Sequence, residues 1–133
     1  MAARIGKALF VVASIGLLVS AAFPTDLPGT PETRSGDLHE LSFQINVASI
    51  IGGVILLTFA VTRDPSWRNF RAIALTFASL VLTGCFVQFA TLQKGMPYGW
   101  ANRFFVLTMM MWVGGFALRA RQPGKGPAAR GLV

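Results

Sequence analysis

Residues 23–40 of the chain read FPTDLPGTPETRSGDLHE, a short polar segment between the first two of four long apolar runs. The runs lie at residues 5–23, 41–61, 72–92 and 100–118. Crossing the hydrocarbon core of a bilayer takes roughly 20 apolar residues in a helix, and a backbone at that depth must satisfy its own hydrogen bonds. The four runs therefore predict four transmembrane helices in an all-α fold, with the polar segment as a loop at one membrane face.

The composition agrees with a protein that is surrounded by lipid. Hydrophobic residues make up 53% of the chain and charged residues only 13%, whereas a soluble domain carries about 25% charged residues. In a soluble protein the net charge of +7 would suggest binding to nucleic acid. Here the basic residues lie beside the apolar runs, so we expect membrane lipids as partners and no nucleic acid.

The basic residues set the predicted orientation of the helices. Nine of the twelve fall on one side of an antiparallel arrangement: Arg4, Lys7, Arg63, Arg68, Arg71, Arg119, Arg121, Lys125 and Arg130. The other side receives three basic residues and four of the five acids. Because cytoplasmic loops carry the excess of Lys and Arg, both termini are predicted in the cytoplasm and the acidic loop outside. The chain is thus predicted to be a multi-pass protein of the cell membrane.

The chain is predicted to form one domain followed by a tail. Residues 1–119 would form a four-helix transmembrane bundle, and residues 120–133 are basic and rich in Gly and Pro, which is typical of a disordered end. Residues 1–22 also match the pattern of a secretory signal peptide, with basic residues, an apolar stretch and small residues in that order. We expect an uncleaved first helix, with cleavage as the alternative.

The end of the acidic loop allows two interpretations. Asp37 and Glu40 stand three residues apart before the second apolar run, which predicts a capping box with Asp37 as the N-cap. The alternative is a metal or acid/base cluster of Asp26, Asp37, His39 and Glu40. Zinc sites usually use several His or Cys ligands, and a carboxylate-rich set suits calcium or magnesium. With one histidine and no recognisable metal spacing, we expect no metal, and no cofactor is indicated.

Polar and small residues within the runs are predicted to hold the helices together. Asn46 belongs to a polar stripe on the second helix, and Gln88 to another on the third. The alternative is a polar pocket between the second, third and fourth helices, with Asn46 at its floor and the acidic loop above it. Gly16 and the pairs Gly52-Gly53 and Gly114-Gly115 are predicted to be points of close helix packing.

Arg103 lies just inside the fourth helix on the predicted outer side, against the general distribution of basic residues. An arginine in that position needs a partner or must extend to the interface. Asp26 stands at the outer end of the first helix, so we predict an Asp26–Arg103 ion pair. Reversing either charge is expected to destabilise the protein, and exchanging both is expected to restore part of the stability.

Three short motifs resemble a known family. They are FPTD at residues 23–26, GDLH at residues 36–39, and YGWANR at residues 98–103 ahead of an apolar run that contains Trp112. This pattern, over about residues 9–119, resembles the membrane proteins of domain-of-unknown-function family 998. Their last helix typically reads Gly-x-x-Gln-Arg, where this chain has Asn102 in place of Gln.

The resemblance implies a polytopic membrane fold in which Asp26, His39 and Arg103 are the signature polar residues. Longer members of that family carry two further helices ahead of this region, so this chain corresponds to the last four. Two alternatives then follow: the chain is a minimal core of the family, or it needs self-association or a membrane protein partner to cover the surface that the two further helices occupy. No activity is assigned to the family, so the resemblance implies no mechanism.

Two functions are compatible with the sequence, and whether the protein is an enzyme stays open. The first is an accessory or scaffold subunit of a membrane assembly, since no convergent catalytic groups are recognisable. The second is a membrane-embedded enzyme or binder acting on a lipid or isoprenoid at the outer leaflet. In that case His39 would be the general base, Asp26 would orient it, and Arg103 would hold an anionic head group. Transport is disfavoured because no Asp or Glu lies within a span.

Overall fold

A computed structural model describes residues 1–26, 29–92 and 98–121. These residues form four α-helices and one short 3-10 helix: α1 (Ala2–Ala22), α2 (Arg34–Arg63), the 3-10 helix (Pro65–Phe70), α3 (Arg71–Ala90) and α4 (Tyr98–Arg121). No strand occurs within these ranges. All four α-helices are long and apolar enough to cross a membrane. The predicted all-α fold with four spanning helices is confirmed.

The largest difference from the predicted helices is the start of α2. It begins at Arg34, whereas the apolar pattern predicted a start at Leu41, because a polar first turn carries no hydrophobic signal. The last helix is also longer than predicted and ends at Arg121. The predicted disordered tail therefore loses its first two residues to α4, and its remainder, residues 122–133, lies outside the described residues.

The chain divides into two compact units, and the first comprises Met1–Ala60. In it α1 and α2 run antiparallel at a distance that only glycine permits. A Cβ atom on Gly6 would lie 2.8 Å from Cγ of Leu57, and one on Gly16 would lie 3.2 Å from Cβ of Asn46. Such approaches are tighter than side-chain packing tolerates. The prediction of close packing at Gly16 is confirmed.

The second unit comprises Val61–Val133, and in it α3 and α4 pack as an antiparallel pair. A Cβ on Gly84 would lie 3.0 Å from Cα of Phe105, so the two backbones nearly touch there. By contrast, a Cβ on Gly114 would meet nothing within 4 Å, and the prediction of close packing at that glycine is wrong. Spacing alone does not tell which face of a helix a glycine occupies.

The 3-10 helix ahead of α3 begins at a proline and is capped by Asp64. The Asp64 carboxylate accepts hydrogen bonds from the main-chain N–H of Ser66 at 2.9 Å and from its hydroxyl at 2.7 Å. These bonds, the hydroxyl bond first, lower the pKa of Asp64. The cap turns the chain from the end of α2 into α3 within a few residues.

Aromatic side chains fill the end of the second unit near this turn. Phe70 is buried and meets the ring of Phe116 edge-on, with the centroids 5.3 Å apart. Trp67 lies 5.8 Å from Phe70, and Trp112, which is 2% exposed, stacks on Phe116 at 4.2 Å. The rings give this end of α3 and α4 a rigid apolar core.

Large apolar side chains also cover the outward faces of the helices. Leu18 is 71% exposed, Phe86 75% and Leu107 57%, and each stands among further exposed apolar residues. A helix that is apolar on all sides needs either a protein core or lipid around it. With so much apolar surface uncovered, the helices fit a lipid environment.

Candidate functional site

The acidic loop is organised by Asp26, which stands four residues beyond the end of α1. Its Oδ2 accepts a hydrogen bond from the main-chain N–H of Thr33 at 2.8 Å, and its Oδ1 accepts one from the Thr33 hydroxyl at 2.7 Å. The hydroxyl bond first and the main-chain bond second lower the pKa of Asp26, against a smaller opposing effect of desolvation. The carboxylate is therefore ionised at neutral pH, close to the start of α2, where the helix dipole favours a negative charge.

Thr33 is the N-cap of α2. Its hydroxyl oxygen accepts from the N–H of Gly36 at 3.1 Å, and its carbonyl accepts from the N–H of Asp37 at 3.0 Å, which is the first bond of the helix. Asp37 thus lies in the first turn of α2, and the predicted capping box of Asp37 and Glu40 is wrong. Glu40 instead accepts a hydrogen bond from the Gln44 amide at 3.2 Å.

Gly36 is the third member of this arrangement. A Cβ built on Gly36 would collide with Oδ2 of Asp26. Only a residue without a side chain therefore lets the carboxylate lie against the first turn of α2. We refer to Asp26, Thr33 and Gly36 together as the loop clamp.

His39 connects the same loop to the end of α1. Its Nδ1 lies 2.7 Å from the carbonyl oxygen of Phe23 and 3.1 Å from that of Ser20. Carbonyl oxygens only accept, so Nδ1 carries a proton and donates. These carbonyls belong to the C-terminal end of α1, where the helix leaves acceptors without partners inside the helix. His39 therefore caps α1 from a position on α2.

A serine pair extends this contact into the helices. The Ser42 hydroxyl donates to the carbonyl of His39 at 2.8 Å, and it lies 2.6 Å from the Ser20 hydroxyl. Since the single Ser42 hydrogen is directed to His39, Ser20 is the donor of the second bond. Ser20 thus contacts α2 with its main chain and its side chain, which fixes the register of α1 against α2.

The contacts of Asp26 and His39 differ from those of the acid/base and metal alternatives. Two main-chain carbonyls, and not the Asp26 carboxylate, orient the imidazole of His39. In the part of the chain that the structure describes, no three His, Cys, Asp or Glu side chains converge as metal ligands would. The candidate set Asp26, Asp37, His39 and Glu40 is therefore not assembled, because Asp26 and His39 are directed at helix ends.

Arg103 lies in the second unit, on the first turns of α4. Its guanidinium carbon stands 5.5 Å from the centroid of the Trp100 ring, which is a cation–π distance. Asp26 belongs to the first unit, so the Asp26–Arg103 ion pair stays a prediction. The polar pocket between the second, third and fourth helices stays one for the same reason.

Two buried amides have unpaired oxygens. Gln88 is 1% exposed, and its Nε2 donates to the hydroxyl of Tyr98 at 3.4 Å, which is a contact between α3 and α4. Among the described residues, its Oε1 has no hydrogen-bond partner, nor has Oδ1 of the buried Asn46. A buried polar atom without a partner is costly.

Thr33 and Gly36 are the residues of the site that sequence reasoning missed as participants. The sequence did contain a signal for this cap, because Thr33 is followed three residues later by Gly36, directly before Asp37. Threonine is a preferred N-cap, and Gly is out of place in a helix unless a close approach requires it. The apolar pattern that begins at Leu41 is stronger, and it placed the predicted start of the helix after both residues.

The helices and the loop define an integral membrane protein of the all-α class, in which polar residues join consecutive helices. The chain belongs to the family described as Protein of unknown function (DUF998), whose sequence profile matches residues 1–119. The resemblance carried by the FPTD, GDLH and YGWANR motifs is thereby confirmed. No curated protein and no solved structure matches the chain significantly.

Proposed function

We propose that the protein is an accessory or scaffold subunit of a membrane assembly. The single observation that carries this proposal is that Asp26 and His39 both bind main-chain groups at the ends of helices. Asp26 engages the start of α2, and His39 engages the end of α1. The Asp26 carboxylate and the His39 imidazole thus stabilise the hairpin of α1 and α2.

The exposed surface of α1 supports a partner for this hairpin. Only 17% of the most apolar segment of α1 is buried, compared with 44% of that of α2. Val11, Ile15 and Leu18 are more than half exposed along α1. A second copy or another membrane protein would cover this face.

The second candidate function, an enzyme or binder that acts on a lipid or isoprenoid at the outer leaflet, is favoured by one specific observation. Because Nδ1 of His39 donates to carbonyls, the neutral imidazole presents Nε2 as an acceptor. A histidine held in one tautomer in this way is suited to take a proton from a substrate.

A pair of substitutions at His39 separates the two functions. His39→Asn retains a donor close to the position of Nδ1 but cannot act as a base, whereas His39→Leu loses both properties. A scaffold keeps its copurifying partner at fixed stoichiometry in the Asn variant and loses it in the Leu variant. If both variants keep their partner but alter the membrane lipid profile of the cells equally, the enzyme is the correct function.

The orientation with both termini in the cytoplasm is part of the proposal and rests on the distribution of basic residues. A Cys85→Ser background permits single-cysteine labelling with an impermeant maleimide. Asp37→Cys is expected to react in intact cells, and Arg68→Cys only after the membrane is opened. Reaction of both in intact cells would refute the orientation without affecting the scaffold proposal.

A further inference from the structure

We propose that a pocket between the start of α3 and the end of α4 binds one anionic phospholipid, with Arg119 holding its phosphate. The site lies in the second unit and uses no residue of the loop clamp. It therefore stands independently of the proposed function.

The pocket has a volume of about 450 Å³ and combines an apolar wall with a polar rim. Its lining consists of Asn69, Phe70, Ile73, Gly115, Leu118 and Arg119. The antiparallel course of α3 and α4 places these two short segments side by side. The lining thus combines apolar side chains with one amide and one guanidinium, as an amphipathic ligand requires.

Arg119 is held in place at the rim. Its Nη2 donates to the carbonyl of Ser66 at 3.0 Å, and its guanidinium carbon lies 5.9 Å from the ring centroid of Trp67. A guanidinium carries five N–H donors in a planar fork that matches the oxygens of a phosphate. An arginine whose position is fixed in this way loses less side-chain freedom when it binds an anion.

The charge around the pocket selects an anionic head group. Arg68, Arg71 and Arg121 flank the same end of the helices, and Asp64 is the single acid in the sequence after residue 60. The Asp64 carboxylate is engaged by Ser66 through two hydrogen bonds. Basic pockets between transmembrane helices at a membrane interface are suited to anionic lipid head groups.

The apolar wall is rigid and has room for an acyl chain. Phe70 is 8% exposed and is fixed by its edge contact with Phe116. A Cβ on Gly115 would reach ordinary contact distance from Phe70, 3.5 Å from Cζ. The space next to Gly115 is therefore kept open by the lack of a side chain, and a larger residue there would fill it.

The apolar part of the lining favours a lipid as the source of the phosphate. Phe70 and Ile73 stand at the start of one spanning helix, and Leu118 lies close to the end of another. Trp67 beside them is a residue that favours the membrane interface. A free phosphate would use the rim and leave the apolar wall without a ligand.

The experiment uses the full-length protein purified in detergent micelles. It is incubated with equimolar phosphatidylglycerol and phosphatidylcholine of identical acyl chains, and the retained lipid is counted by native mass spectrometry. The wild type is expected to retain one phosphatidylglycerol. Arg119→Gln should lower the preference for phosphatidylglycerol about fivefold, the effect of roughly 1 kcal/mol for one basic group near an anionic lipid. Arg121→Gln removes the same charge two residues away and should leave the preference within about twofold.

A second pair of variants tests the apolar wall. Both variants retain Arg119, so this test remains informative even if Arg119→Gln does not fold. Gly115→Leu should abolish retention by filling the pocket, whereas Gly114→Leu, at a position where a Cβ meets nothing within 4 Å, should not. Circular dichroism melting identifies a variant that fails to fold.

Several outcomes would overturn the proposal. They are equal retention of the two lipids by the wild type, equal effects of Arg119→Gln and Arg121→Gln, and unchanged retention in Gly115→Leu. Displacement of the lipid by an equal concentration of glycerol 3-phosphate would also overturn it, since the apolar wall would then contribute nothing.

Discussion

Both oxygens of the Asp26 carboxylate bind Thr33, one through the main-chain N–H at 2.8 Å and one through the hydroxyl at 2.7 Å. The same hydroxyl accepts the N–H of Gly36. An ionised side chain from the end of one helix thus completes the cap of the next. The position of the loop and the start of α2 depend on this one side chain.

Gly36→Ala is expected to destabilise the protein. The new Cβ would collide with the Asp26 carboxylate, and overpacking of this kind typically costs about 1–3 kcal/mol. The melting temperature of the purified protein in detergent, followed by circular dichroism, measures the effect. Gly99→Ala is the matched control, because Gly99 also lies in a first helical turn and a Cβ there meets nothing within 4 Å.

The same pair of positions predicts a non-additive effect. Asp26→Ala removes the three atoms that lie nearest to a Cβ at position 36, so the double variant should be no less stable than Asp26→Ala alone. Additive losses in melting temperature would show that Gly36 matters for another reason.

The stability that Asp26 contributes should depend on pH. Hydrogen bonds from Thr33 lower the pKa of Asp26 in the folded protein, whereas an unfolded aspartate titrates at about 3.9. Because the folded pKa is the lower of the two, the contribution is complete above the unfolded pKa and is lost as the pH falls through the folded pKa.

Comparison with Asp26→Asn isolates this contribution from that of Asp64, whose pKa is lowered as well. The difference in melting temperature between the wild type and Asp26→Asn should be constant from neutral pH to about pH 5 and shrink below about pH 4. A difference in melting temperature that stays the same down to pH 3 would contradict the claim that the ionised Asp26 carboxylate stabilises the protein.

The loop shows how far the sequence could be interpreted. The four spans followed from the apolar runs, because a membrane imposes length and hydrophobicity directly on the chain. The start of α2 did not follow, since its first residues are polar and the carboxylate that binds Thr33 comes from seven residues upstream. A contact across a turn leaves no periodic trace in the sequence.

Gly84→Ala should weaken the packing of α3 on α4. Its Cβ would stand 3.0 Å from Cα of Phe105, and a backbone cannot rotate away as a side chain can. We expect a loss of about 1–3 kcal/mol, measured as a lower melting temperature. Gly114→Ala, which replaces a glycine in α4 with open space around it, should be neutral or stabilising by about 0.5–1 kcal/mol.

Gln88→Met should raise the melting temperature. Methionine fills a similar volume, and the substitution removes a buried oxygen that has no partner. The gain should be about 1 kcal/mol, less the loss of the weak bond to Tyr98. A clear loss of stability would mean that Oε1 binds a water or ligand in the membrane. Gln44→Met, at an exposed position, is the control.

The signature residues illustrate the limit of motifs. Asp26 and His39 were recognisable as important, but each had two plausible chemical uses. Their observed contacts depend on the direction of one carboxylate and one imidazole, and on carbonyls of Ser20 and Phe23 that any residue type would supply. Main-chain acceptors have no sequence signature, so the contacts of His39 could not be predicted from the sequence.

The 30 residues of α2 have a further consequence. At about 1.5 Å per residue, a helix of that size is roughly 45 Å long, half as long again as the oily interior of a bilayer at about 30 Å. Tilting absorbs part of the surplus, and the rest must project into the aqueous phase. The charged residues from Arg34 to Glu40 are the polar end of α2, so the surplus length lies where the helix can extend beyond the hydrocarbon without burying charge.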